Sequence, residues 1–205
     1  MIEDVVNEKT ISVGTQISLM IDRIAGMNSY DVVLVDSRAG LSELAAPAVI
    51  GLGATVLLFG TAQKQTMEGY RSLFSALQLL AQRDRKLKRD TEWRLALRPV
   101  YAKSSMDPAV GQQFLDEIFE LYSEHLYDAE SEQEPDADSL RFTRDDKAAP
   151  HWPMTIAFSQ SLVDFDPARA PGQLTQSFYE NAFRPFLQGL DDIVQFALER
   201  DGSAS

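Results

Sequence analysis

Residues 30–43 place a short apolar run directly before an acidic residue and a glycine, and they restrict the fold more than any other stretch. The four apolar residues Val32 to Val35 are typical of a strand that helices cover on both faces. Asp36 follows at the carboxyl end of that strand, where open α/β sheets bind their ligands, and Gly40 lets a backbone N–H approach an anion closely. Nucleoside triphosphatases use such a strand, acid and glycine to hold Mg²⁺ and to sense a γ-phosphate.

The pattern of apolar residues predicts strands that alternate with helices. We expect strands at residues 31–36, 54–59, 93–102 and 154–158, and helices at residues 11–27, 42–51, 66–83, 107–122 and 173–200, the last bent near Pro185. Pro99 indicates that the 93–102 strand is an edge strand or contains a bulge. Residues 128–138 hold six acids, so we expect a flexible acidic loop over about 128–150, with a tail at 201–205. We therefore predict a single α/β domain with a doubly wound, mainly parallel sheet flanked by helices.

Residues 36–40, with the sequence Asp-Ser-Arg-Ala-Gly, resemble the Asp-Ser-Pro-Ala-Gly and Asp-Thr-Pro-Pro-Gly segments of the MinD and ParA ATPases. Residues 53–60 are similar to the next strand of that family, and residues 65–74 to the helix after it. Arg38 and the Leu-Ser-Glu that follows resemble the subgroup whose phosphate loop reads Lys-Gly-Gly-Val-Gly-Arg. The resemblance covers residues 30 to about 80. It implies a P-loop nucleoside-triphosphatase fold, ATP and Mg²⁺ as cofactors, and a dimer that closes face to face around ATP.

The phosphate loop of that family is missing from these residues. No Gly-x-x-x-x-Gly-Lys-Ser/Thr sequence occurs, and no glycine is followed by lysine. Relatives place the loop after the first strand, well upstream of the Asp motif, whereas 35 residues precede Asp36 here. The chain thus resembles the carboxyl-terminal part of such an ATPase, an incomplete P-loop fold in which Mg²⁺ alone does not hold a triphosphate. Without the phosphate-loop strand, residues 32–35 present an apolar edge that residues 1–29 or another chain must cover.

The resemblance implies a catalytic pair formed by Asp36 and Gly40. Asp36 would bind Mg²⁺ or its water shell, and the Gly40 amide would sense the γ-phosphate. The simpler interpretation is that Asp36 initiates a turn by bonding to its own backbone, which aspartate does readily. Both interpretations stay open on the sequence.

The cofactor-binding candidates follow the ends of the predicted strands: Ser37, Arg38, Gly60, Thr61, Lys103 and Asp164. On the alternative interpretation Ser37 caps a turn, Arg38 forms a solvated or intramolecular ion pair, and a strand-to-helix turn explains Gly60. Lys103 stands where relatives place a base-contacting asparagine, which this sequence lacks. Asp164 lies in a segment that resembles the other base-contacting loop of the family only loosely.

Composition excludes several classes of function. The net charge of −12 argues against direct nucleic-acid binding, which needs clustered Lys and Arg. The absence of cysteine removes disulfides and thiol catalysis, and His125 and His151 are expected on the surface or in packing contacts. The amino terminus has no signal-peptide pattern, and no apolar run reaches the roughly 20 residues of a membrane helix. We expect a cytoplasmic protein.

Three functions stay open on the sequence. The chain is part of an ATP-hydrolysing switch that becomes active when a phosphate loop is supplied, or a non-catalytic binding or regulatory module that retains the fold, or an inactive fragment. The expected partner is a second copy in a homodimer or a polypeptide that carries the missing amino-terminal half. We expect no ATP hydrolysis by the isolated chain, because the loop supplies most of the charge stabilisation.

Overall fold

The computed structural model describes residues 3–6, 9–27, 30–36, 52–128, 140–163, 165–166, 168–173 and 175–203. The chain forms two compact units, Met1–Val56 and Leu57–Ser205. Within the described ranges, the first unit contains a β-hairpin and one helix. The described residues of the second unit form the parallel sheet and four α-helices.

The first unit begins with a hairpin that the sequence analysis did not predict. Strands β1 (Glu3–Val6) and β2 (Lys9–Ser12) pair antiparallel, from Glu3 opposite Ser12 to Val6 opposite Lys9. Helix α1 (Val13–Ala25) follows β2 without a break and contacts it. The helix predicted over residues 11–27 is therefore confirmed, but it begins two residues later because strand pairing takes up Lys9–Ser12.

The strand predicted at residues 31–36 is wrong. No residue of this segment pairs with a strand in the described part of the chain. Val32, Val33 and Val35 are about half exposed, and Leu34 is 81% exposed. An extended backbone becomes a strand only when a neighbour binds its N–H and C=O groups. The described residues of the first unit pair with each other in the hairpin and leave this segment without such a neighbour.

The second unit is built on a three-stranded parallel sheet. Its strands lie in the order β3 (Val56–Gly60), β4 (Leu97–Ser104) and β5 (Met154–Ala157). The helices are α2 (Lys64–Lys86), α3 (Pro108–His125), α4 (Gln176–Ala182) and α5 (Arg184–Ser203), with short 3₁₀ turns at Glu92–Ala96, Gln160–Leu162 and Pro171–Gln173. The predicted α/β class with a parallel sheet is confirmed.

Helices lie on both faces of this sheet. The Tyr70 hydroxyl of α2 donates a hydrogen bond to the Leu58 carbonyl of β3 over 2.8 Å. Phe59, the next residue along β3, instead meets Phe186 of α5, with ring centroids 5.9 Å apart. A Cβ atom on the following residue, Gly60, would meet Thr66 and Tyr70 of α2. Since successive strand residues point to opposite faces, α2 and α5 contact opposite sides of β3. Because helices contact both faces of β3, its sequence is a continuous apolar run.

The core is aromatic and lies between α2, α3 and β4. The Phe74 and Tyr122 rings meet edge to face at 5.0 Å, and the Tyr101 and Phe114 rings stack at 4.4 Å. The Tyr122 hydroxyl is buried and donates to the Leu97 carbonyl over 2.9 Å. Burial raises the pKa of Tyr122 well above its ordinary value, so the phenol keeps the proton it donates.

Strand β4 differs from its predicted form. Residues 93–96 belong to the 3₁₀ turn Glu92–Ala96, and the strand runs from Leu97 to Ser104. β4 is the central strand of the described sheet, so Pro99 does not mark an edge. Pro99 instead precedes Val100, the first residue of β4 that pairs with β5. The missing N–H of the proline therefore breaks none of the pairs between β4 and β5.

Helix ends agree closely with the sequence. The predicted helix at residues 66–83 is confirmed as α2, and Asp107 caps α3 by accepting a 2.9 Å hydrogen bond from the Ala109 N–H. The carboxyl-terminal helices separate at Phe183, two residues before Pro185, as the bend near that proline predicted.

His151 is a fully buried packing histidine. Its Nε2 lies 3.0 Å from the Arg144 carbonyl, which can only accept, so Nε2 carries the hydrogen. Its Nδ1 therefore accepts from the Tyr127 hydroxyl at 2.7 Å. The neutral ring is thus fully hydrogen-bonded, and burial lowers the pKa of His151 below its ordinary value despite the hydrogen bond to Arg144.

We expect the free energy of unfolding to fall as the pH drops below about 6.5, the pKa of an unperturbed histidine. His151 then binds a proton in the unfolded chain but not in the folded chain. The free energy of unfolding therefore falls by at most about 1.4 kcal/mol per pH unit. Urea unfolding between pH 7.5 and 5.5 measures this slope. It should shrink in His151→Gln and persist in the matched variant His125→Gln. Equal slopes in the wild type and His151→Gln would contradict the assignment.

Candidate site at the carboxyl edge of the sheet

The three parallel strands end on one edge of the second unit. β3 ends at Gly60, β4 at Ser104 and β5 at Ala157. The Phe158 N–H donates to the Ser104 carbonyl over 3.1 Å, which continues the pairing of β4 and β5 past the end of β5. The loops after residues 60, 103 and 158 therefore open on the same edge, as parallel pairing requires, and this is where α/β sheets bind ligands.

Gly60 has a packing role. A Cβ atom at this position would lie 2.5 Å from Thr66 Cγ2 and 2.9 Å from Tyr70 Cζ, closer than real side chains approach. The absence of a side chain lets Tyr70 reach the Leu58 carbonyl. Close packing against α2 is therefore a sufficient reason for the glycine, and both the strand-to-helix turn and the contact with a cofactor stay predictions.

Thr61 joins the end of β3 to the first turn of α2. Its N–H donates to Thr66 Oγ1 over 3.4 Å, and the two hydroxyl oxygens lie 3.3 Å apart. These contacts are local, as expected of a threonine that stabilises a turn. The Thr61 side chain is half-buried, so part of it stays accessible at the edge.

Lys103 has a backbone conformation that the sequence did not signal. Its φ is 54°, in the left-handed region that favours glycine, and the pairing of β4 with β5 is irregular between Tyr101 and Ser104. Such a conformation costs on the order of 1 kcal/mol in a residue with a Cβ atom, and it is frequent where a strand is bent at a functional edge. The result is an exposed cation at the end of the central strand.

Exposed apolar side chains accompany this cation. Met106 is 90% exposed in the turn after β4, and Phe158 is half exposed directly after β5. Two backbone N–H groups of the turn have partners within it: the Ser105 N–H donates to Tyr101 Oη, and the Asp107 N–H donates to Ser105 Oγ. The edge thus offers a cation with apolar surface, which suits an anionic ligand that has an apolar part. Met106 was missed because a single methionine between polar residues carries no sequence signal.

The remaining predicted residues are Asp36, Ser37, Arg38, Gly40 and Asp164. Asp36 is exposed and belongs to the first unit, while Ser37, Arg38, Gly40 and Asp164 lie outside the described residues. Among the residues that the structure describes, no group of three His, Asp or Glu side chains could hold a metal ion. A single carboxylate such as Asp36 still fits the chemistry of Mg²⁺, which keeps several waters and takes one or two carboxylates with phosphate oxygens.

Comparison with known proteins adds no relative. No protein-family model, curated protein or solved structure matches this chain. None of the helices in the described ranges has the length and apolar character needed to cross a bilayer. Fold and edge together define an α/β protein with a three-stranded parallel sheet that is flanked by helices and whose strands have their carboxyl ends on one edge.

Proposed function

We propose that this chain is part of a nucleotide-dependent switch of the ParA/MinD type, completed by a phosphate loop that lies outside these 205 residues. The observation that carries the proposal is the shared carboxyl edge of β3, β4 and β5, with the exposed Lys103 and Phe158. A cation beside apolar surface suits a nucleotide, which combines charged phosphates with a flat base.

The proposed roles follow the sequence motif and the strand ends. Asp36 would hold the Mg²⁺ of a bound ATP, and the Gly40 amide would respond to its γ-phosphate. Lys103 would contact the nucleotide from the end of the central strand. When bound, Mg²⁺ would neutralise charge on the phosphate oxygens, and the described residues would orient the rest of the nucleotide.

The exposed segment at residues 32–35 is a reason to propose that a partner is missing. Three of its four apolar residues are about half exposed and Leu34 is 81% exposed, and the described chain supplies no strand beside them. An unpaired apolar segment of this kind is a template for strand addition. A polypeptide that carries the missing phosphate-loop strand is the partner we propose for it.

A non-catalytic binding or regulatory module is the second candidate. It is favoured by the local contacts of Gly60 with Tyr70 and of Thr61 with Thr66, which account for both residues without a cofactor. In that case the edge would bind a ligand without hydrolysing it.

A reconstitution experiment distinguishes the switch from the non-catalytic module. The chain alone should show no Mg²⁺-dependent ATP hydrolysis. Mixing it with a polypeptide that carries a ParA-type first strand and a Lys-Gly-Gly-Val-Gly loop should raise its melting temperature and produce hydrolysis, because binding to the folded state stabilises it. Asp36→Ala should abolish hydrolysis but keep the rise in melting temperature. Asp31→Ala, which changes another exposed acid of the same segment, should keep both.

Two results would contradict the switch. Hydrolysis by the chain alone that disappears in Asp36→Ala would show that no added loop is needed. A mixture with neither hydrolysis nor a rise in melting temperature would favour the non-catalytic module.

A further inference from the structure

The carboxyl-terminal end of α2 carries a basic and apolar surface on an acidic chain. A shallow hollow there is lined by Leu79, Gln82, Arg83, Lys86 and Leu87. Both leucines are more than half exposed. Arg83 and Lys86 form no ion pair with any residue that the structure describes, although the chain has a net charge of −12. We call Leu79, Arg83, Lys86 and Leu87 the basic end of α2.

Helix α5 presents the opposite charge on its outward side. Asp191, Asp192 and Glu199 are exposed, and none of them forms an ion pair within the described part of the chain. Two exposed leucines accompany these acids, Leu187 four residues before Asp191 and Leu198 seven residues after it. Such spacings bring side chains onto one side of a helix. We call these five residues the acidic face of α5.

The two surfaces have the same pattern with opposite charge. In α2 the exposed Leu79 precedes Arg83 by four residues, and in α5 the exposed Leu187 precedes Asp191 by four residues. Residues four apart are neighbours on the surface of a helix. When the two helices lie side by side and point the same way, leucine therefore meets leucine and arginine meets aspartate. Such a contact removes apolar area from water and pairs charges that have no partner within the described chain.

The two surfaces belong to helices on opposite sides of the sheet. Tyr70 of α2 contacts one side of β3, and Phe186 of α5 contacts the other. The acidic face that meets a basic end must therefore come from another copy of the chain. A contact between two different surfaces is heterologous, and each copy that joins leaves one surface of each kind free for a further copy.

We propose that the basic end of α2 binds the acidic face of α5 on a second copy, so that chains associate head to tail. The net charge of −12 opposes any association of copies. At about 0.1 M salt, however, the Debye length is about 10 Å, so the charges that face each other across the contact dominate. The contact needs no nucleotide and is therefore independent of the proposed switch.

Sedimentation equilibrium of the full chain, without nucleotide, tests this association. At about 0.1 M salt the average mass should rise with concentration past twice the monomer mass. At about 1 M salt, where the Debye length is about 3 Å, it should fall towards the monomer mass. Arg83→Glu with Lys86→Glu reverses the charge of the basic end, and Asp191→Lys with Asp192→Lys reverses that of the acidic face. Each double variant should associate at least about tenfold more weakly, because attraction becomes repulsion.

Two further samples test whether these two surfaces bind each other. An equimolar mixture of the two double variants should recover association, since each surface then meets its opposite charge on the other variant. One chain that carries both double substitutions should recover it as well, at the net charge of the wild type. As a matched control, Lys64→Glu with Lys147→Glu makes the same change of net charge as the reversal on α2, at exposed positions outside both surfaces. This control should associate like the wild type.

Several results would overturn the proposal. A wild-type chain that stays monomeric at high concentration has no such contact. An average mass that levels off at twice the monomer mass indicates a symmetric dimer instead. Association that survives either charge reversal, or a mixture that associates no better than its two components, shows that other surfaces hold the copies together.

Discussion

Replacing Phe74 with alanine is expected to lower the free energy of unfolding by about 3–5 kcal/mol, the range for removing a buried aromatic ring. Phe74 is fully buried in α2, and its ring contacts both Tyr70 and Tyr122. These neighbours belong to α2 and α3, which also pack on each other. Rigid aromatic walls cannot collapse into the space that the ring leaves, so the cost should lie in the upper part of the range.

Urea unfolding, followed by circular dichroism, measures this loss. Leu79→Ala is the matched control, since Leu79 lies in the same helix but is 66% exposed, and its truncation should change stability by no more than about 0.5 kcal/mol. Similar losses in the two variants would contradict the position of the core between α2 and α3.

The second large effect is expected at Arg94, whose side chain is 5% exposed. Its guanidinium donates to the Leu126 and Thr91 carbonyls at 2.6 and 3.0 Å, and to Asp128 Oδ1 at 3.0 Å. Burial raises the pKa of Asp128, but its hydrogen bonds from Leu140 and Arg94 and the nearby Arg85 outweigh burial and hold that pKa below its ordinary value. Arg94→Met should cost about 3 kcal/mol, because it leaves buried acceptors without donors.

An exposed ion pair provides the comparison. Arg71 donates to Glu124 at 2.8 Å, but both side chains are 56% exposed, so Arg71→Met should cost less than about 1 kcal/mol. A double-mutant cycle of Arg94→Met with Asp128→Asn isolates the pairwise term. A cost at Arg94 no larger than that at Arg71 would show that burial does not strengthen the contact.

The helices were predictable because their signals are local. Tyr70, Phe74 and Leu77 recur at helical spacing in α2, and Asp107 followed by a proline marks the start of α3. β3 was predictable for a similar reason, since helices on both faces require a continuous apolar run.

Strands that depend on distant partners were harder to predict. Residues 31–36 have the composition of a buried strand, but pairing requires a neighbour that the described chain does not provide. The β1–β2 hairpin has the opposite character: its short segments lack an apolar run, and pairing with each other creates the strands. Tertiary context outweighed composition in both places.

The candidate site was predictable as an edge but not in its details. Alternation of strands and helices placed the ends of β3, β4 and β5 together. The φ of Lys103 and the exposure of Met106 were not predictable from the sequence. Lysine does not favour a positive φ, and methionine does not favour an exposed position. The close approach of Tyr70 that requires a glycine at position 60 was not predictable from the sequence either, since this contact depends on how α2 lies on β3.

Asp128 and Leu140 form two hydrogen bonds with each other: the Asp128 N–H donates to the Leu140 carbonyl, and the Leu140 N–H donates to Asp128 Oδ2. This pair of bonds has a consequence for protein engineering. These bonds hold the two ends of the segment together, and both ends belong to the second unit. Doubling the length of such a connection costs only about 0.6 kcal/mol of closure entropy. A fluorescent protein or an affinity tag spliced between these two residues should therefore leave the sheet and its helices intact.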